Sequence, residues 1–99
     1  MRIYILKPPI MQSSLILESI IAANLRPSFL AITQEEDYIN VVISHPSFVR
    51  MEMSERVRTV FDLIKLYSPD ILKENVIVVQ PFCADEMEDL LEHWVYNDT

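Results

Sequence analysis

YINVVISHPSFVRMEMSERVRTVFDLI, residues 38–64, is the stretch whose reading decides the fold of this chain. Tyr38, Val41, Val42 and Ile43 carry the β-branched and aromatic character of a strand. His45-Pro46-Ser47 breaks that pattern. Val57, Val60, Phe61, Ile64 and Tyr67 then recur at the spacing of one helical face, which predicts a helix over 54–67. A strand therefore feeds a helix through a short proline-containing connection, with room for one helical turn after Pro46.

Working outward, the N-terminal half reads as strand, helix, strand. Residues 1–6, MRIYIL, alternate enough for a short strand that the pair Pro8-Pro9 ends. Ser13 or Ser14 is placed to cap a helix in which Leu17, Ile20, Ile21 and Leu25 form the apolar stripe, stopping before Pro27. Residues 29–33 form a strand, and Gln34 to Asp37 a polar connection into the strand beginning at Tyr38. On the C-terminal side, Ser68-Pro69-Asp70 ends the central helix and opens a turn containing Ile71 and Leu72. The run from Val76 to Val79 reads as a buried strand. From Cys83 to Trp94 the spacing of Met87, Leu90, Leu91 and Trp94 predicts a closing helix. No repeat or linker interrupts these elements, so residues 1–99 read as a single domain.

Charge and composition narrow the function classes. The chain is 51% hydrophobic, which belongs to a packed domain and not to a disordered segment. Fifteen acidic residues against eight basic ones give a net charge of −7, so phosphate backbones are repelled on average. The one local basic cluster, Arg50, Arg56 and Arg58, is interleaved with Glu52 and Glu55 and reads as a solvated helix face with internal salt pairing. Those three arginines, together with Trp94 at the end of the last apolar stripe, are the candidate partner-contact residues. Met51 and Met53 offer either an adaptable contact surface or filling for the core. A single cysteine excludes an internal disulfide framework and fits a reducing compartment. Arg2 and Lys7 are followed by prolines and not by a long apolar core with a cleavage site, and no apolar run is long enough to span a bilayer. The simplest expected location is the cytoplasm.

Glycine is absent throughout. That removes the phosphate-cradling loop, the dinucleotide fingerprint, the nucleophile elbow and the Gly-x-x-Gly clamp of KH domains. His45, Cys83 and His93 are the residues with metal-binding chemistry, but none stands at a close ligand spacing. His45 and Cys83 each follow the end of a predicted strand, so the fold can bring them together as a weak ligand pair. A helix N-terminus favours a thiolate at Cys83, whereas Asp85 and Glu86 oppose it, and no partner base stands nearby in the sequence. No catalytic residue is assigned, and the expectation is a protein without enzymatic activity.

The same stretch resembles the BolA family of small stress-response and iron–sulfur-associated proteins. Ser44, Phe48, Arg58, Val60 and Phe61 stand at places matching the family's strand-ending Ser, its Phe, and its Arg-x-Val element with a following aromatic. One more residue separates Ser44 from Phe48 than the family spacing has. ESIIAANLRPSFLAI resembles the family's first helix and strand, and NVIVVQPFCADEM its last strand and the start of its last helix, so that the likeness covers roughly residues 14–90. The resemblance implies an α+β domain of order αββ(α)αβα, with a three-stranded mixed sheet covered by helices, the type II KH-like arrangement, plus a possible short N-terminal strand. If residues 1–6 are instead a full strand of the sheet, the order βαββαβ is that of a ferredoxin-like module, dimeric through an edge strand.

The resemblance also implies a role as a non-enzymatic adaptor in iron–sulfur or redox homeostasis, sharing a 2Fe-2S cluster with a monothiol glutaredoxin. Asn75 stands where the family's ligand His would be, and Gln34 to Asp37 offers neither His nor Cys. Asparagine is a poor iron ligand, so standard cluster sharing is not expected, and His45 and Cys83 are the candidate replacement ligands. A KH-like nucleic-acid-binding or transcription-regulating protein is the alternative, against which the charge and the missing glycines argue. Association as a monomer or a homodimer is left open.

Overall fold

The computed structural model describes residues 2–86. Its order is β1 (Ile3–Lys7), α1 (Gln12–Leu25), β2 (Phe29–Gln34), β3 (Ile39–Ser44), a 3-10 turn (Pro46–Arg50), α2 (Met53–Tyr67), α3 (Pro69–Glu74) and β4 (Ile77–Phe82). The result is an α+β domain built on a four-stranded mixed sheet of order β1-β2-β3-β4. β1 pairs in parallel with β2, β2 antiparallel with β3, and β3 in parallel with β4. The elements from α1 to β4 follow the order expected. The sheet has four strands and not three, because β1 is a full edge strand in register from Ile3 opposite Phe29 to Lys7 opposite Thr33.

That full strand does not produce the ferredoxin-like alternative. β3 is enclosed between β2 and β4, so β1 cannot enter the sheet between them and joins the outer edge of β2, whereas a ferredoxin-like sheet is antiparallel with its first strand inside. One core contains Leu17 and Ile21 of α1, Val60 and Ile64 of α2 and Ile71 of α3, packed on Leu30, Ile32, Ile39, Val41, Ile43 and Ile77. The helices thus share one face of the sheet. Because β1 and β2 run opposite to β3 and β4, two crossovers that advance in the same direction behind one face have opposite hands. One of them is left-handed, against the usual preference.

Local rules account for most boundaries. α1 starts at Gln12 after Met11, with no side-chain cap; Ser14 is buried inside the helix and its hydroxyl has no hydrogen-bond partner, which corrects the expected serine cap. The helix ends at Arg26, whose φ of 49° is left-handed, a conformation usually left to glycine and here carried by arginine ahead of Pro27. The β2–β3 turn closes with the Glu35 N–H donating to the Tyr38 carbonyl at 2.8 Å. In α2 the buried positions are Arg56, Val60 and Ile64, so the core-facing stripe is rotated from the expected one and leaves Tyr67 exposed. β4 is an edge strand and not a fully buried one: Val76 and Val78 are exposed, and Pro81 is tolerated because one side of the strand has no ladder partner among the described residues.

Candidate functional site

The residues with chemistry gather where β3 and β4 end. Ser44 lies opposite Phe82 in the parallel register, so His45 and Cys83 leave adjacent strands at the same level, as the sequence suggested. Their side chains then take separate tasks. His45 Nδ1 accepts from the Ser47 backbone N–H at 3.0 Å and lies 2.7 Å from the Ser47 hydroxyl, while Nε2 stands 2.9 Å from the Leu25 carbonyl. Accepting at Nδ1 and donating at Nε2 defines the neutral Nε2–H tautomer. The ring caps the 3-10 turn and ties it to the end of α1, so both nitrogens are committed to structure. We expect His45→Ala to lower stability by about 1–2 kcal/mol, the value of a lost cap with a partly buried carbonyl left without its donor, checked by urea denaturation.

Cys83 lies at the N-terminus of a helical turn over residues 84–86. One oxygen of Glu86, Oε1, accepts from the Cys83 backbone N–H at 3.0 Å, from the Cys83 thiol at 2.8 Å and from Arg56 Nη1 at 2.9 Å. The backbone contact is half of a capping box, with Cys83 in the cap position and Glu86 three residues on. Arg56 also donates from Nε to the Met51 carbonyl at 3.1 Å and from Nη1 to the Pro81 carbonyl at 3.4 Å. This arginine therefore joins the 3-10 turn, α2, the end of β4 and the last helical turn. It is not on a solvated face; Arg50 and Arg58 are exposed. The sequence did carry a clue: Arg56 stands four residues before Val60 and eight before Ile64, on the buried side of the helix.

The thiol and backbone hydrogen bonds from Cys83, then Arg56, hold the Glu86 carboxyl below its ordinary value of 4.5, at about 2. A depressed carboxylate pKa contributes stability that is complete above the unfolded value and is lost as pH falls through the folded one. Denaturation midpoints followed from pH 6 to pH 2 should accordingly show a decline between about pH 4.5 and 2 that Glu86→Gln flattens. An unchanged slope in that variant would show that Glu86 is not held as described.

Beside this network lies an open depression of about 240 Å³ lined by Pro46, Val49, Cys83, Ala84 and Asp85. Val49 at its wall is 66% exposed. The lining is mostly apolar, and the acceptor of the Cys83 thiol is the Glu86 carboxylate, which with a pKa of about 2 is too weak a base to take the thiol proton. Asn75, at the family's ligand position, caps α3: its backbone N–H and Nδ2 both donate to the Ile71 carbonyl, at 3.0 and 3.1 Å. Among the described residues no group of three or more His, Cys, Asp or Glu side chains is arranged to hold a metal ion. With His45 committed through both nitrogens and Cys83 tied to Glu86, the donor set does not fit an iron–sulfur cluster. Trp94 and His93 lie outside the described residues. No helix among the described residues is long and apolar enough to cross a membrane. Comparison with protein-family models, with curated proteins and with solved structures finds no match.

Proposed function

We propose that this chain is a non-enzymatic adaptor of BolA type that acts by docking a protein partner at the depression between the 3-10 turn and the helical turn at residues 84–86. The observation that carries this reading is the depression itself. At about 240 Å³ it falls below the roughly 300–1,000 Å³ of small-molecule pockets and suits a single apolar side chain. Exposed Val49 supplies an apolar contact, and Arg50, next in the chain and also exposed, supplies a charge. Support for the BolA type comes from the order of elements from α1 to β4, and from Ser44 and Phe48, both buried at the matched positions. A monothiol glutaredoxin is the partner that the resemblance implies, and iron–sulfur or redox homeostasis the process. Because the donors do not fit a cluster, the association proposed rests on surface contact and not on ligands from this chain.

The test is to mix the protein anaerobically with a monothiol glutaredoxin, apo and loaded with a 2Fe-2S cluster, and to record complex mass and visible circular dichroism. A heterodimer should form with both, with the cluster spectrum unchanged. Val49→Asp should weaken it by about tenfold or more, the equivalent of some 1.4 kcal/mol for placing a charge in an apolar contact. Failure to associate with either form would remove the glutaredoxin reading. Association insensitive to Val49→Asp would move the contact elsewhere.

A further inference from the structure

β4 is an outer strand of the sheet, and its free edge is built differently from that of β1. The Ile39 N–H donates to the Val76 carbonyl at 2.8 Å, which turns the backbone groups of Val76 toward β3. Alternation along the strand does the same for Val78 and Gln80, and leaves the N–H and C=O groups of Ile77 and Val79 pointing outward. Those two N–H groups have no partner among the described residues. Pro81 is the third in the outward series, so the donor that proline lacks falls on the open edge. The side chains beside this edge are open too, Val76 at 64% and Val78 at 38% exposure. Natural edge strands are commonly guarded by charge, and β1 follows that rule with Arg2 before its first residue and Lys7 as its last. From Asn75 to Ala84 no residue is charged. An unguarded, β-branched edge is a template for one more strand.

We propose that the open edge of β4 pairs antiparallel with β4 of a second copy of this chain, about a two-fold axis at Val78, so that two four-stranded sheets become one. This pairing does not rest on docking at the depression. With Val78 opposite its own counterpart, Ile77 falls opposite Val79 of the other copy, and Val79 opposite its Ile77. Both residues present outward groups, so each such pair exchanges two hydrogen bonds. The two copies of Val78 form the close pair between them, with Cα atoms about 4.5 Å apart. Pro81 falls opposite Asn75, whose N–H is already given to the Ile71 carbonyl, so the ladder stops at the same point in both copies. Charge favours the same arrangement. Exposed Lys73 and Glu74 precede the strand and exposed Asp85 follows it, so the two-fold sets Lys73 of one copy at the end where the other has Asp85. A strand of six residues is well short of the roughly 20–30 residues a side of a stable interface, so this dimer forms and dissociates with concentration.

The full-length protein is sedimented across a dilution series reaching millimolar, at moderate salt that screens the net charge of −7 on each copy. The mass should rise from monomer toward dimer. Val78→Lys, which sets two ammonium groups face to face at the axis, should weaken the association by about tenfold or more. Should that variant lose its far-UV circular dichroism, amide hydrogen exchange of the unaltered protein decides. Exchange at Ile77 and Val79 should slow as concentration rises. At Tyr4 and Leu6 it should not, although these face outward from β1, since the Ile3 N–H donates to the Ser28 carbonyl and turns Ile3 toward β2. A monomer at millimolar concentration, or a dimer indifferent to Val78→Lys, would overturn the proposal. So would slowing at Tyr4 and Leu6 in place of Ile77 and Val79, which would assign the contact to β1, and slow exchange at Ile77 and Val79 already in the monomer, which would mean that the chain covers this edge itself.

Discussion

Phe48→Ala is expected to cost about 3–5 kcal/mol of folding stability, the range for removing a buried aromatic ring and leaving its cavity. A domain of this size has some 5–15 kcal/mol in total, so this one change removes a large share of it. The thermal midpoint should fall by at least about 12 °C. Phe48 is among the largest fully buried side chains and belongs to the core beneath the helices. It gets there from a 3-10 turn whose geometry is fixed by its neighbours: the Phe48 N–H donates to the His45 carbonyl at 3.0 Å, and the Met51 N–H donates to the Phe48 carbonyl at 3.1 Å. The ring meets that of His45 at a centroid separation of 5.6 Å and a tilt of 45°. Phe48→Leu keeps much of the volume and should cost no more than about 1.5 kcal/mol. Chemical denaturation of both variants checks the prediction, and a loss below about 1 kcal/mol for the alanine variant would contradict a core position.

The second large effect is expected at Arg56. Arg56→Ala should destabilise by about 2–4 kcal/mol, because it leaves the Met51 and Pro81 carbonyls and the Glu86 carboxylate without their shared donor. The lower part of the range for breaking buried pairs applies, since the Glu86 side chain is 42% exposed and water can take over part of its solvation. Arg56→Lys should recover little. An ammonium is a compact donor, whereas this site uses the spread of a guanidinium to reach two carbonyls and a carboxylate. In a double-mutant cycle with Glu86→Gln, the coupling should be about 1 kcal/mol, well below the cost of Arg56→Ala alone, because the two carbonyl contacts survive the loss of Glu86. A coupling equal to that whole cost would mean that the ion pair, and not the carbonyl contacts, carries the arginine's effect.

Both variants mark the limit of what local pattern reveals. Phe48 stood out in the sequence only as a match to the BolA pattern, with no burial read for it, and the structure places it in the core. Arg56 could not be read as buried, because interleaved charges on a helix usually face water and three of its acceptors come from Met51, Pro81 and Glu86, two of them distant in sequence. His45 and Cys83 were foreseen at adjacent strand ends, since strand direction and length follow from apolar alternation. What their side chains do there was not foreseen: the hydrogen bonds run to Leu25 and Ser47 for one and to Glu86 for the other. The apolar run at β4 gave the strand but not its edge position, which depends on what lies beside it.

By itself, the sequence determined an α+β domain, the succession of its elements from α1 to β4, the hairpin between β2 and β3, and the absence of every glycine-dependent phosphate loop. Those properties rest on the order and period of residues, which are local. Only the tertiary structure decided that β1 joins the outer edge of β2, that Arg56 is buried, that Asn75 and His45 cap helical segments, and that β4 stands at the edge of the sheet. Each of these depends on which strand edge remains open and which donor finds which acceptor once the chain has collapsed, and such competition between distant groups leaves no periodic trace along the chain.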